Sequence, residues 1–295
     1  MVKINGQKLR RTVFWLVLLS GIGLLTFLFL YYSGYRLDWR QGRFIQLGSI
    51  AVDVLPEESS VFLNGDVLPR TTPAIFNSIH PGEYTLRIEH EGYAPVEFPI
   101  TVKSKSTTVI NNIFLPPTVP SFAITQPEGE PTQVTERQLA AVQQIRDWPI
   151  WKIVGINPVA VVSGPQRQLS VVDGTEVSQL DENVTDVEAN PELNQLVFSK
   201  TGTAWMAYTN VEPLNVFIIS RQTAPFRDVL LIPNMQSIIL TDKSLIQLVQ
   251  IGPNESLSIH QIAVGSDLQS TQLDPSGKIL YFQDGQQWYQ LELFK

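Results

Sequence analysis

The chain has no cysteine among its 295 residues. That excludes disulfides, thiolate nucleophiles, cysteine-ligated zinc and lipid attachment at an N-terminal cysteine. It has three histidines, His80, His90 and His260, and no two at the spacing of a metal-binding pair. There is no Gly-x-Ser-x-Gly elbow and no glycine-rich phosphate loop. Asp181, Glu182, Asp186 and Glu188 cluster, but without the alternating spacing of a calcium loop, and read as a solvated loop. No catalytic residue, cofactor or metal site is expected. Charged residues are sparse at 17%, while hydrophobic residues make up 43%, enough for a packed core and too many for a disordered chain.

The net charge of −7 is unevenly distributed. Residues 1–43 carry seven basic side chains (Lys3, Lys8, Arg10, Arg11, Arg36, Arg40, Arg43) against Asp38 alone. The remainder carries 14 basic and 27 acidic residues. A body this acidic repels phosphate backbones, so nucleic acid is excluded as a partner.

Between the basic clusters, residues 13–32 read VFWLVLLSGIGLLTFLFLYY, without a charge. Twenty residues of helix span roughly 30 Å, the thickness of a bilayer's hydrocarbon core. Trp15 lies at one end and Tyr31, Tyr32 and Tyr35 at the other, where amphipathic rings settle at an interface. Residues 13–35 are therefore expected to be a single-pass signal-anchor in the cytoplasmic membrane, behind a basic cytoplasmic segment, residues 1–12. The competing reading is a cleaved signal peptide, but the run is longer than an h-region and no small-x-small site follows. The basic bias favours the N-terminus inside by a small margin, and a β-rich body favours export of the C-terminal part.

Residues 48–115 alternate as short strands broken by turns: GSIAVDVLP, then SSVFLNGD ending in Asn64-Gly65, then Thr72-Pro73, His80-Pro81-Gly82-Glu83, YTLRIEH, Glu91-Gly92-Tyr93, PVEFPITV and STTVINNIFL. Six or seven strands in so short a stretch predict a small β-sandwich. The order Pro56-Glu57-Glu58-Ser59, Val61-Phe62-Leu63-Asn64-Gly65, Thr72-Pro73, Pro81-Gly82-Glu83-Tyr84 and Gly92-Tyr93 resembles the PEGA domain family. Glu58 and Ser59 stand where that family has Gly and Ala. The resemblance implies a prokaryotic cell-surface module without catalytic residues.

Residues 116–134 contain five prolines and predict an extended linker. Thr135-Glu136-Arg137-Gln138 predicts a capping box opening a short helix over LAAVQQIRDW. Beyond it the sequence repeats. Stretches beginning at Asp186, Asp228 and Ser270 carry Pro191, Pro233 and Pro275 at the same point, 42 residues apart, each followed by apolar strands. A weaker copy begins near Asn157-Pro158. A period near 42 with three or four strands per unit predicts β-propeller blades similar to WD40-like and TolB-like repeats over residues 135–295. The last unit ends one strand short, so closure requires a strand from the region of Trp151–Ile156. The alternative is an open stack.

The expected fold is therefore all-β with one N-terminal transmembrane helix: a PEGA-like sandwich and a small or incomplete propeller. Trp148 and Trp151, around Pro149, and Tyr93 are the candidate interaction residues, though each has a plain packing role as its alternative. Trp205 and Trp288 take equivalent places in two repeats, which suggests packing between blades. The expected function is a non-catalytic envelope protein whose modules contact protein or polysaccharide. The alternative is a propeller with a small-ligand or catalytic site at its centre.

Overall fold

A computed structural model describes the chain apart from residues 1–5, 33–34, 39–42, 119–121, 125–134, 146–148, 156–157, 211–213 and 295. It is mostly antiparallel β-structure with two α-helices. It divides into two compact units. One comprises Met1–Ala51, Ile75–Tyr84 and Thr101–Val109, and the other Val52–Ala74, Thr85–Ile100 and Ile110–Lys295.

The first unit opens with α1 (Gly6–Tyr32). Its described side chains over residues 13–29 are all exposed, although they are almost all apolar. The polar Thr26 satisfies itself by donating to the Ile22 carbonyl at 2.9 Å. Among the described residues no helix is long and apolar enough to cross a membrane. A hairpin follows, β1 (Tyr35–Asp38) paired with β2 (Arg43–Gln46). Tyr35, expected within the apolar span, therefore already belongs to a strand.

Seven strands cover the predicted sandwich: β3 (Gly48–Leu55), β4 (Ser60–Leu63), β5 (Asp66–Val67), β6 (Ala74–Ile79), β7 (Gly82–Glu89), β8 (Val96–Val102) and β9 (Thr107–Phe114). They form a three-stranded sheet, β6-β3-β9, and a four-stranded one, β5-β4-β7-β8. β3 and β8 bury alternate residues, the period that a strand with one face inward requires.

The remainder is four antiparallel four-stranded sheets. β10 (Phe122–Ile124) and α2 (Glu136–Gln144) precede the first. That sheet runs β11 (Ile150–Val154), β12 (Val159–Ser163), β13 (Gln168–Asp173), β14 (Glu176–Asp181). The second runs β15 (Asp186–Asn190), β16 (Gln195–Lys200), β17 (Thr203–Tyr208), β18 (Asn215–Arg221). The third runs β19 (Asp228–Leu231), β20 (Ser237–Thr241), β21 (Leu245–Ile251), β22 (Leu257–Val264). The last holds β23 (Leu268–Leu273), β24 (Ile279–Asp284) and β25 (Gln287–Glu292).

The strand that completes the last sheet is β10, with Phe122, Ala123 and Ile124 opposite Gln290, Tyr289 and Trp288. This corrects the expectation that the region of Trp151–Ile156 supplies it. That region forms β11, the first strand of the first sheet, so the weak early copy is a full repeat. β10 also lies inside the predicted linker. Pairing gives β25 a partner where it would otherwise present unbonded backbone groups.

The first strands of successive sheets lie side by side, β11 by β15, β15 by β19 and β19 by β23. Apolar clusters fill the spaces between consecutive sheets. One joins the first and second through Val162, Leu169, Val187, Leu196 and Phe198. Another joins the second and third through Val197, Met206, Val229, Ile238 and Val249. Gly277 (φ +73) shows how close the turns approach: a Cβ there would lie 2.5 Å from Pro233 Cδ. Two of the repeated proline turns thus touch, and only glycine fits.

α2 begins at the predicted capping box. The Gln138 amide donates to Thr135 Oγ1 and the Thr135 amide to Gln138 Oε1. Its Ala141, with Ile145, packs on Val159, Val161 and Val172 of the first sheet.

The sandwich and the repeats are joined, not spaced apart. At Asn112 (φ +59) β9 enters the left-handed region, which asparagine tolerates better than most residues. The Asn112 carbonyl accepts from the Gln236 amide at 2.9 Å, and the Phe114 carbonyl from Gln250 Nε2. The Phe114 side chain is fully buried among Ile232, Ile239, Leu248, Leu280 and Leu293, 4.9 Å from the Phe294 ring. At Gly252 a Cβ would press on the Phe98 ring.

Two substitutions test this packing. Phe114→Ala is expected to lower stability by about 3–5 kcal/mol through lost burial and a cavity. Gly277→Ala is expected to cost about 1–3 kcal/mol through its backbone conformation and the Pro233 contact. Chemical denaturation of each variant against the wild type measures both.

Candidate functional site

Polar side chains converge where the first strands of the four sheets run side by side. Lys152 comes from β11, Asp186 and Glu188 from β15, Asp228 from β19 and Thr271 from β23. The alternation of a strand places Asp186 and Glu188, two residues apart, on one face of β15. Lys152 Nζ lies 2.8 Å from Asp186 Oδ1 and 3.3 Å from Glu188 Oε2. The other Asp186 oxygen accepts from the Val229 amide at 2.9 Å. Asp228 does the same one repeat later, accepting from the Thr271 amide at 2.8 Å and the Thr271 hydroxyl at 3.0 Å. Thr271 Oγ1 is also 3.2 Å from Thr241 Oγ1.

The row's electrostatics follow from this arrangement. Burial raises the Glu188 pKa, and the attraction of Lys152 only partly offsets it. Burial also raises that of Asp228, against the two Thr271 hydrogen bonds. For Lys152, burial acts to lower the pKa, but Asp186 and Glu188 together outweigh it and raise it. The lysine therefore stays charged, while Glu188 and Asp228 resist ionisation.

Asp186 and Glu188 correct the reading of a solvated acidic loop, since both lie on β15 and bond across to β11. Asp181 is engaged as well, pairing with Lys200 at 2.7 Å. Among the described residues no group of three His, Asp or Glu could hold a metal ion.

Of the candidate interaction residues, Trp148 lies outside the described residues. Trp151 is on β11 and 53% exposed. Its Nε1 donates to the Gly164 carbonyl at 2.8 Å, and the Arg167 guanidinium sits 5.0 Å from its ring centroid. An exposed aromatic face is thus held in one orientation. Tyr93 is half-buried after β7, bridged to Pro117 and edge-on to His90 at 5.5 Å. His260 lies on β22, bonded to Ser258 Oγ at 2.9 Å, and burial lowers its pKa. Trp205 stacks on Phe198 at 6.4 Å beside the cluster between the first and second sheets. Its counterpart is Tyr289, stacked on Phe282 at 5.4 Å, and not Trp288. Trp288 is one residue out of step, and a step of one puts a side chain on the other face of a sheet.

Sequence reasoning missed the row because its members are scattered over more than a hundred residues. The signal was present: Asp186 and Asp228 open two of the aligned repeats, and each bonds the amide 43 positions on.

The PEGA domain family model matches residues 47–118. No curated protein matches the chain. Among solved structures, the extracellular domain of the hybrid two-component system BT4673 from B. thetaiotaomicron shares 11% identity, with a TM-score of 0.40, over 88% of this chain and 31% of its own. This chain therefore spans under a third of that structure's length. Kluyveromyces lactis Hsv2p shares 13% identity, with a TM-score of 0.40, over 72% of this chain and 71% of its own. An auxiliary nutrient binding protein from Bacteroides thetaiotaomicron shares 8%, with a TM-score of 0.33, over 77% and 74%.

The raised pKa of Asp228 gives a pH dependence with a definite sign. The folded chain holds this proton more tightly than the unfolded chain, so folding gives up stability as pH rises from the ordinary carboxylate value, about 4, through the raised one. Asp228→Asn cannot ionise. Relative to the wild type it is expected to gain stability as pH rises through that window. Denaturation of both proteins across the window measures the difference.

Proposed function

We propose that the chain is a non-catalytic, membrane-anchored envelope protein. In this reading α1 is the anchor, and the PEGA module and the repeat sheets are extracytoplasmic and bind a protein or polysaccharide. The PEGA match over residues 47–118 carries the surface role. The uncharged run over residues 13–32, with its aromatic ends, supports the anchor. The four sheets are proposed as blades of a four-bladed propeller. Their side-by-side first strands and the recruitment of β10 to the last sheet support that arrangement.

The alternative, a small-ligand or catalytic site at the centre of the repeats, draws on the convergence of Lys152, Asp186, Glu188 and Asp228. Their bonding weighs against it. Asp186 is bonded to Lys152 and a backbone amide, Glu188 to Lys152, and Asp228 to Thr271, so these groups are spent on holding sheets together. Trp151 is the better recognition residue, because its face is exposed and its orientation already fixed, which reduces the ordering cost of binding.

Two experiments test the reading. The full-length chain is expected to float with phospholipid vesicles, and a chain lacking residues 1–34 to remain behind. Envelope extract passed over the immobilised body is expected to yield a protein or glycan partner, with Trp151→Ala weakening capture by roughly 2 kcal/mol, about thirtyfold. Failure of the full-length chain to float overturns the anchor. Unchanged capture by Trp151→Ala removes that residue from the interface.

A further inference from the structure

Charge separates between the two structural units. The first unit holds nine basic residues and two acidic ones, net +7, leaving twelve basic and twenty-six acidic in the second, net −14. Four of the nine precede residue 13. The other five, Arg36, Arg40, Arg43, Lys103 and Lys105, follow α1 in sequence, against Asp38 and Glu83 alone.

Lys103 and Lys105 lie more than fifty residues beyond the hairpin, yet the fold brings their turn to it. Ser104 Oγ donates to the Gln46 carbonyl at 2.8 Å. The Lys105 amide donates to the Leu47 carbonyl at 3.2 Å, and the Ser49 amide to the Ser106 carbonyl at 3.0 Å. Lys105 Nζ stands 5.9 Å from the Tyr35 ring centroid. Lys103, Ser104, Lys105 and Ser106 are all exposed.

Tyr35 is only three residues beyond the end of α1 at Tyr32. Three residues reach at most about 11 Å. The headgroup layer on each side of the hydrocarbon core is roughly 5–8 Å deep, and surface charge is felt for about 10 Å beyond it at moderate salt. If α1 spans a bilayer, the turn bearing Lys103 and Lys105 cannot stand clear of that zone, while the net charge of the second unit is repelled from it.

We propose that the 103–106 turn of the PEGA module is a docking surface for anionic phospholipid headgroups, with Lys103 and Lys105 as its contacts. The inference rests on the anchor reading above and gives that anchor a second point of attachment. Each lysine near an anionic surface shifts the balance between a body lying on the bilayer and one lifted from it by about fivefold.

The chain's lack of cysteine makes the test direct. Thr107→Cys places one fluorophore beside the turn in the full-length chain. The labelled chain is reconstituted in vesicles of phosphatidylcholine, or of phosphatidylcholine and phosphatidylglycerol in equal parts, containing a lipid with a headgroup-bound quencher. Severalfold stronger quenching in the anionic vesicles, reversed by high salt, is expected. Lys103→Glu with Lys105→Glu should abolish the difference, and the milder pair Lys103→Gln with Lys105→Gln should reduce it. Equal quenching in both vesicle types, by a chain that floats with both, overturns the docking surface and leaves the anchor standing. A chain that floats with neither overturns both. The salt titration uses the unsubstituted lysines, so the result does not depend on how the variants fold.

Discussion

The repeat region depends on a carboxylate at the head of a first strand reaching the backbone of the next sheet. Asp186 accepts from Val229 and Asp228 from Thr271, one repeat apart and with the same geometry. Hydrophobic packing between sheets is strong but undirected. Clusters of Val, Ile and Leu would tolerate some sliding of one sheet over the next, whereas a hydrogen bond to a particular amide fixes the step. Burial makes Asp228 costly to ionise, and the bonds it accepts from Thr271 offset part of that cost. Between the first and second sheets the contact runs the other way: Lys152 of β11 donates to the second oxygen of Asp186 on β15.

Fixing the step leaves the two ends of the array to be satisfied. The last sheet lacks a fourth strand, and β10 supplies one from the chain before the first repeat. The underside of the third and fourth sheets is closed by Phe114, while Gln236 and Gln250 bond the carbonyls around it. A polar side chain buried at such a seam needs a partner, and the end of β9 presents its carbonyls there. Phe114 is thereby a component of the repeat region's core.

Much of this was legible in the sequence, for physical reasons that also mark where legibility stops. The turn dipeptides and alternation of the sandwich, the capping box at Thr135 and the 42-residue proline spacing are local signals, each set by the conformation of a few neighbouring residues. β10 was hidden because three residues among five nearby prolines carry no periodic pattern. Phe114 read as one more apolar residue closing a strand, since nothing local distinguishes a side chain that faces its own module from one that leaves it. Trp288 is out of step with Trp205 because residue type alone does not set the face of a strand, whereas the stacked pairs, Phe198 with Trp205 and Phe282 with Tyr289, share the register. Asp186 and Glu188 looked like part of a charged loop because the lysine that answers them lies more than thirty residues away.

The charge distribution is the feature whose meaning the fold changed most. In the sequence, basic residues cluster around an apolar run and then give way to an acidic body. In three dimensions the 103–106 turn returns to the hairpin after α1, so two more lysines join the basic set and the boundary follows the structural unit instead of the chain. Such a distribution has an electrostatic consequence for any extended anionic surface. The first unit, net +7, is drawn to it and the second, net −14, is repelled, a difference that a uniformly charged protein would not show.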